Sequence, residues 1–293
     1  MLPSVKFWQS VSGWEADQLL PVARNAERLG FWGITVPSHL LHPLELSSPY
    51  PYTDDGVPGW SADSPWPDPW VLIGAMAAVT ERLRFTTGVY VAPLHDVFTV
   101  ARLVATAAVM AGPANRVSLG AGTGWCAEEY RYSGGSFETR GERFEEMVPL
   151  LRQLLGGDPV EHHGKHFDFD AVQLRPAPPE PVPIYLGGQS DAALRRAAKL
   201  GDGWVGRMSF PAELDYLLPR LFRFLDEHGR DRDTFEVIAG IRGRPGPDVY
   251  ERFAEAGVTG FVCASWASTP RLPTLDARLA GMERFAEKVM RKF

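Results

Sequence analysis

The sequence has 293 residues, 45% hydrophobic and 23% charged, with a formal net charge of −6. Such composition is ordinarily globular, and the lack of any Lys/Arg run excludes a duplex-binding surface. Two cysteines, Cys126 and Cys263, offer neither a disulfide framework nor a metal-ligand spacing, and no apolar run is long enough to span a bilayer. Met1 leads directly into a strand rather than a signal peptide. The expected location is therefore the cytoplasm, with no nucleic-acid partner, no membrane partner and no metal.

In chain order, Val5–Trp8 reads as a short apolar strand. A helix follows with Leu19, Leu20, Ala23, Ala26 and Leu29 on its apolar face and Gly30 as its terminator. Gly33–Val36 is a second strand, ending in Pro37-Ser38-His39. From Leu40 to Pro69 there is no periodicity, only a segment dense in Pro, Ser, Trp and Tyr; a connection this long is functional or disordered. Trp70–Val79 reads as a helix, Leu83–Tyr90 as the third strand and Val97–Ala111 as an Ala/Val-rich helix. The fourth strand, Val117-Ser118-Leu119, is expected to break at Gly120, Gly122 and Gly124, where the lack of a Cβ lets a ligand approach the backbone.

A helix starts near Thr139, with Phe144, Met147, Val148, Leu151, Leu154 and Leu155 at helical spacing. Pro149 should kink it or perturb a turn. Residues 160–174 read as a small hairpin insertion after strand four, and Pro176–Pro183 as a stiff connector. Alternation then resumes with strand Ile184–Leu186 and helix Asp191–Leu200, then strand Gly203–Gly206 and helix Ala212–His228. Strand Phe235–Ala239, helix Asp248–Ala256, strand Gly257–Ala264 and a closing helix from about Leu275 complete the chain.

Eight strands alternating with helices make parallel βαβ units. The count favours an α/β fold of the closed (β/α)8 TIM-barrel type, with residues 1–293 as one domain. Function in such barrels sits at the carboxyl ends of the strands. That rule selects Ser38 and His39, Gly88 to Pro93, Thr123 to Glu129, Gly187 to Ser190, Arg207, Arg242 and Arg244, and Ser265-Trp266.

Several of these carry chemistry on their own. Gly187-Gly188 end a strand and Gln189-Ser190 lead into a helix, whose free N–H groups and dipole suit a phosphate. A simple N-cap by Ser190 is the alternative. His39 ends strand two, and imidazole, with a pKa near neutrality, is the side chain suited to giving or taking one proton; a structural histidine is the alternative. Cys126 has nothing near it in sequence to activate a thiol, so it reads as a small buried residue. Glu128 and Glu129 are adjacent and should point apart, which disfavours a hydrolase with facing carboxylates. His162, His163 and His166 lie in the insertion, away from the strand ends, and make no metal site.

Three blocks are more specific: RVSLGAGTGW followed by EEY, then RGERFEE, and IYLGGQSDAALRRAAKLGDGW. With these, nearly the whole chain resembles the luciferase-like monooxygenase superfamily, and within it the actinobacterial oxidoreductases that use the deazaflavin coenzyme F420. The resemblance implies a bacterial-luciferase-like TIM barrel that transfers a hydride between F420 and a small-molecule organic substrate. It implies that Gly187, Gly188, Gln189 and Ser190 hold the cofactor phosphate, and that a non-proline cis peptide joins Gly88 and Val89 behind the cofactor ring. Thr123, Trp125 and Glu128 would line cofactor or substrate, Arg207 would meet the cofactor's acidic tail, and His39 matches an active-site histidine and is the expected catalytic residue. Ser38 stands where similar enzymes carry an acidic cofactor contact.

RGERFEE is expected to be structural, with Phe144 and Met147 inward, and Glu129 to pair with Arg131 or Arg140. Tyr50–Trp66 is either an aromatic substrate lid or a contact with a partner subunit; a homodimer is expected. Two rival functions stand beside the first: an FMN-dependent monooxygenase, and a flavin-binding relative without chemistry.

Overall fold

The computed structural model describes residues 5–12, 15–265 and 274–293. Among them, eight parallel strands close into a barrel. They are β1 (Lys6–Ser10), β2 (Gly33–Val36), β3 (Arg84–Thr87), β4 (Val117–Gly122), β5 (Ile184–Gly187), β6 (Gly203–Ser209), β7 (Glu236–Ile241) and β8 (Gly260–Cys263). Each strand pairs with the next, and the ring closes where Lys6 stands opposite Gly260. The surrounding helices are α1 (Leu19–Leu29), α2 (Pro69–Ala77), α3 (Val97–Met110), α4 (Ala127–Ser133), α5 (Arg140–Gly156), α6 (Asp191–Leu200), α7 (Pro211–Glu227), α8 (Pro247–Glu255) and α9 (Leu275–Lys288).

Local chemistry sets the helix ends. Asp68 and Asp96 each accept two first-turn amides of α2 and α3 at 2.9 Å, caps worth about 1 kcal/mol apiece. Gly30 ends α1 with φ +84°, a conformation glycine adopts without a Cβ penalty. Two apolar layers hold the barrel. Outward strand residues such as Ile34, Phe85, Leu119 and Trp204 pack fully buried against the helices. Trp8, Tyr185, Val205, Ile238 and Val262 fill the inside, with Val89 and Met208 at their edge. Burying each such large side chain stabilises by about 1.5–3 kcal/mol.

Departures from the sequence-based expectation come from packing between neighbours. β4 does not break at Gly120 but runs through Gly122. A Cβ at position 120 would lie 1.8 Å from the Thr87 carbonyl oxygen, so the glycine is what lets β3 and β4 approach. β3 stops at Thr87, and Tyr90-Val91 resume the pairing with β4 across a cis Gly88–Val89 bond, as expected. Arg207 lies within β6 rather than past it. There β6 has one residue more than β7 between Val205 and Met208, a bulge, and bulges re-aim side chains at barrel rims. α4 was not expected; seven residues give too little periodicity to read. α5 runs unbroken through Pro149. The insertion after β4 is an antiparallel hairpin, Val160–His163 with Asp168–Val172. No helix among the described residues is long and apolar enough to cross a membrane.

Candidate active site

Residues 37–68 contain no helix or strand and lie across the carboxyl ends of the strands. α4 fastens them there through two adjacent carboxylates in its first turn. Glu129 is only 1% exposed. Its Oε1 accepts the amides of Leu40 (2.7 Å) and Leu41 (3.4 Å), and its Oε2 lies 3.4 Å from His39 Nδ1. Glu128, 3% exposed, gathers three donors on Oε1: the Ser47 amide (2.8 Å), the Ser47 hydroxyl (2.6 Å) and the Ser48 amide (3.1 Å). Ser48 Oγ returns the contact by accepting the Ala127 amide at 3.0 Å. Burial opposes a charge on Glu128, but the Ser47 and Ser48 donors outweigh it and hold the carboxyl well below the usual carboxylate range.

The fastened segment builds an aromatic enclosure around His39. The His39 ring centroid lies 4.7 Å from Trp66, 5.2 Å from Trp60 and 6.1 Å from Trp125. Tyr50 packs edge-on against Trp60 (5.1 Å), Trp125 (5.0 Å) and Tyr52 (5.2 Å). The Arg207 guanidinium stands 4.5 Å from the Tyr52 ring. This wall crosses the barrel mouth from β2 to β6, so Tyr50–Trp66 packs over its own barrel in the manner of a lid.

Across the mouth, Gly187 ends β5 and Gly188 takes φ +114°. A Cβ on Gly188 would come within 2.6 Å of Ala193 Cβ, so the backbone there closely follows the first turn of α6. Ser190 is the N-cap, its Oγ accepting the Ala193 amide at 3.2 Å. Asp191, in that same turn, is drawn to Arg220 (3.0 Å from Nε). The first turn of α6 thus presents its remaining orphan amides with its own acid already paired, an arrangement that fits a phosphate. Gln189 bridges to β6, donating to Ser209 Oγ at 2.9 Å and accepting from Arg207 Nε at 2.9 Å. Arg207 also pairs with Glu213.

The remaining candidates divide clearly. Ser38 is half-buried at the end of β2, and the Val89 side chain reaches across to Gly187. The Thr123 carbonyl accepts the Tyr130 hydroxyl at 2.6 Å. Glu129 pairs with His39, not with Arg131 or Arg140, because the chain entering the lid wraps the start of α4. Glu128 was expected over the cofactor, and the partners it shows are those of the lid. Cys126 is buried; burial, with Glu128 accepting its thiol, pushes it up to about 11. Arg242 and Arg244 are exposed beyond β7, Arg242 standing 5.1 Å from the Phe210 ring. Ser265 donates to Gln9 at 2.5 Å, and Trp266 lies outside the described residues. Among the described residues, no group of three or more His, Cys, Asp or Glu side chains is placed to hold a metal ion.

The fold is that of a (β/α)8-barrel enzyme, with residues Tyr50–Trp66 packed over its strand ends. The chain belongs to the luciferase-like monooxygenase family, whose model matches residues 3–270. It is 36% identical over 277 residues to an uncharacterized protein of Mycobacterium tuberculosis, covering 93% of this chain and 94% of that one. An F420-dependent glucose-6-phosphate dehydrogenase of Microbacterium testaceum is 29% identical over 238 residues, 79% of this chain and 65% of its own. Among solved structures, an F420-dependent secondary alcohol dehydrogenase in complex with an F420-acetone adduct matches with a TM-score of 0.76 at 20% identity, over 99% of both chains. At that identity the likeness is one of fold.

Proposed function

We propose that the protein transfers a hydride between coenzyme F420 and a small organic substrate, with His39 giving or taking the accompanying proton. The observation that carries this is the His39–Glu129 pair inside the aromatic enclosure. Glu129 engages Nδ1 at 3.4 Å, which orients the ring and leaves Nε2 to serve a substrate. The tryptophans around it keep water from competing for that nitrogen.

The backbone of Gly187, Gly188, Gln189 and Ser190 would hold the cofactor phosphate, and Arg207 its acidic tail. Ser38, Gly88, Val89, Thr123 and Trp125 would line its ring, with Glu128 supporting from behind the lid. When bound, the cofactor supplies a hydride-carrying ring carbon; the chain binds, orients and moves the proton. Relatives named for F420 dependence support this cofactor. The proposed enzyme is a cytoplasmic homodimer.

Titrating the purified protein with F420 and with FMN, each oxidised and reduced, tests the reading by fluorescence. F420 should bind more tightly. Micromolar binding of FMN with none of F420 would make the protein an oxygen-using monooxygenase instead.

A further inference from the structure

Opposite the lid, at the amino ends of the strands, is a cavity of about 120 Å3 with side chains of β1, β3, β4, β5 and β7 in its wall. A cavity of roughly 150 Å3 takes up benzene, so this one suits a molecule of a few heavy atoms. Its wall is cationic. Lys6, Arg84 and Arg116 line it against a single lining carboxylate, Glu236. Glu236 is committed to Lys6 and accepts the Thr259 hydroxyl at 2.6 Å. Arg116 is buried with its guanidinium donating to the carbonyls of Ala77, Leu83 and Ala111 and to the Thr80 hydroxyl, none of them charged. Arg84 donates to the Asn115 carbonyl at 2.9 Å, stands 4.7 Å from the Trp32 ring, and pairs with no carboxylate among the described residues.

Trp8 and Trp32 close the same cavity with their rings, Trp8 being 3% exposed. Tyr185 and Ser118 add hydroxyls to the wall. Burial, together with the charges of Glu236 and Asp202, pushes the Tyr185 phenol up, so it stays a donor. Water filling this space leaves the excess of lining cations unanswered. A compact group with several acceptor oxygens and a negative charge answers it, with the Tyr185 and Ser118 hydroxyls as further donors.

We propose that this cavity is a binding site for a small oxyanion of the phosphate or carboxylate kind, separate from the lidded site. Strand amino ends in these barrels serve stability rather than chemistry, and a ligand bound only by the folded chain raises stability with its concentration. The proposal does not depend on the identity of the cofactor.

The test is calorimetric titration of the full chain with inorganic phosphate, sulfate and acetate, ionic strength being held constant with sodium chloride. Saturable binding that persists in the Ser190→Gly protein, where the α6 phosphate cradle is weakened, is expected for phosphate or acetate, and the contrast between them identifies the kind of oxyanion. Arg84→Gln should weaken it by about tenfold or more, the worth of a charge-assisted contact. Glu236→Gln should tighten it, since a like charge leaves the wall. Ser190→Gly, at the other end of the barrel, should leave the Arg84-dependent binding unchanged, whatever it does to phosphate at α6. Absence of saturable binding, equal affinity in the Arg84→Gln protein, no tightening in the Glu236→Gln protein, or loss of the Arg84-dependent binding in the Ser190→Gly protein would each overturn the proposal.

Discussion

Replacing Glu128 by Gln keeps the shape of the clamp that fastens the lid, removes its charge, and puts an amide NH2 where Oε2 accepts the Cys126 thiol. The three donors on Oε1 stand at 2.8, 2.6 and 3.1 Å. Hydrogen bonds to a charged group contribute about 1.5–3 kcal/mol and neutral ones about 0.5–1.5, so the substitution should cost about 3 kcal/mol in total. In a domain of this size that is roughly 5–10 °C in Tm. The pH dependence has a definite sign. Burial raises the carboxyl's pKa, but the serine donors lower it further, and the net folded-state value is depressed. The stabilisation is therefore complete above the unfolded value of about 4.3 and is lost as pH falls, by up to about 1.4 kcal/mol per unit. Glutamine does not titrate, so the gap between the two proteins should be full at neutral pH and shrink below the unfolded value. Urea unfolding of both proteins at pH 7, 5 and 3.5 measures it. A gap that stays constant over that range, or one under about 1 kcal/mol at pH 7, refutes the clamp.

Three further outcomes follow from the site and its frame. Ser190→Gly preserves most of the cap, costing a few tenths of a kcal/mol, yet deletes a phosphate donor; cofactor affinity should fall while Tm hardly moves, and unchanged affinity would leave Ser190 a cap alone. His39→Ala should leave cofactor affinity within a few fold and cut turnover by about 10²-fold or more; full turnover on the true substrate would reduce His39 to a wall of the pocket. Gly120→Ala drives a Cβ to 1.8 Å from the Thr87 carbonyl oxygen and should destabilise by about 3 kcal/mol or more, measured by thermal unfolding; a wild-type Tm would show that β3 and β4 can separate freely.

Elements with a clear period and clear punctuation were legible in the sequence. β2 and α6 have the bounds their apolar spacing and capping residues announce, and the hairpin insertion lies where its alternation suggested. The composition of Tyr50–Trp66 set it apart, but its packing over the chain's own strand ends could not be read from it. Gly120 was misread as a breaker because its reason lies in Thr87 of another strand. The bulge that holds Arg207 inside β6 is visible only in the register against β7. The link on which the proposed chemistry rests, Glu129 to His39, joins positions 90 residues apart, and nothing local in an EE pair tells which partner each carboxylate will find.

The two ends of the lid are secured by different parts of the barrel: Glu128 fixes Ser47 and Ser48, and Asp68 caps α2. Between those moorings the chain carries Tyr50, Tyr52, Trp60 and Trp66 out to an exposed turn at Asp54-Asp55 and back. That stretch is an exchangeable cassette. Lengthening such a surface excursion adds only about 0.6 kcal/mol of closure entropy per doubling, so a graft from Pro49 to Pro67 would replace the aromatic walls while the barrel, the His39–Glu129 pair and the turn into α6 stay as they are.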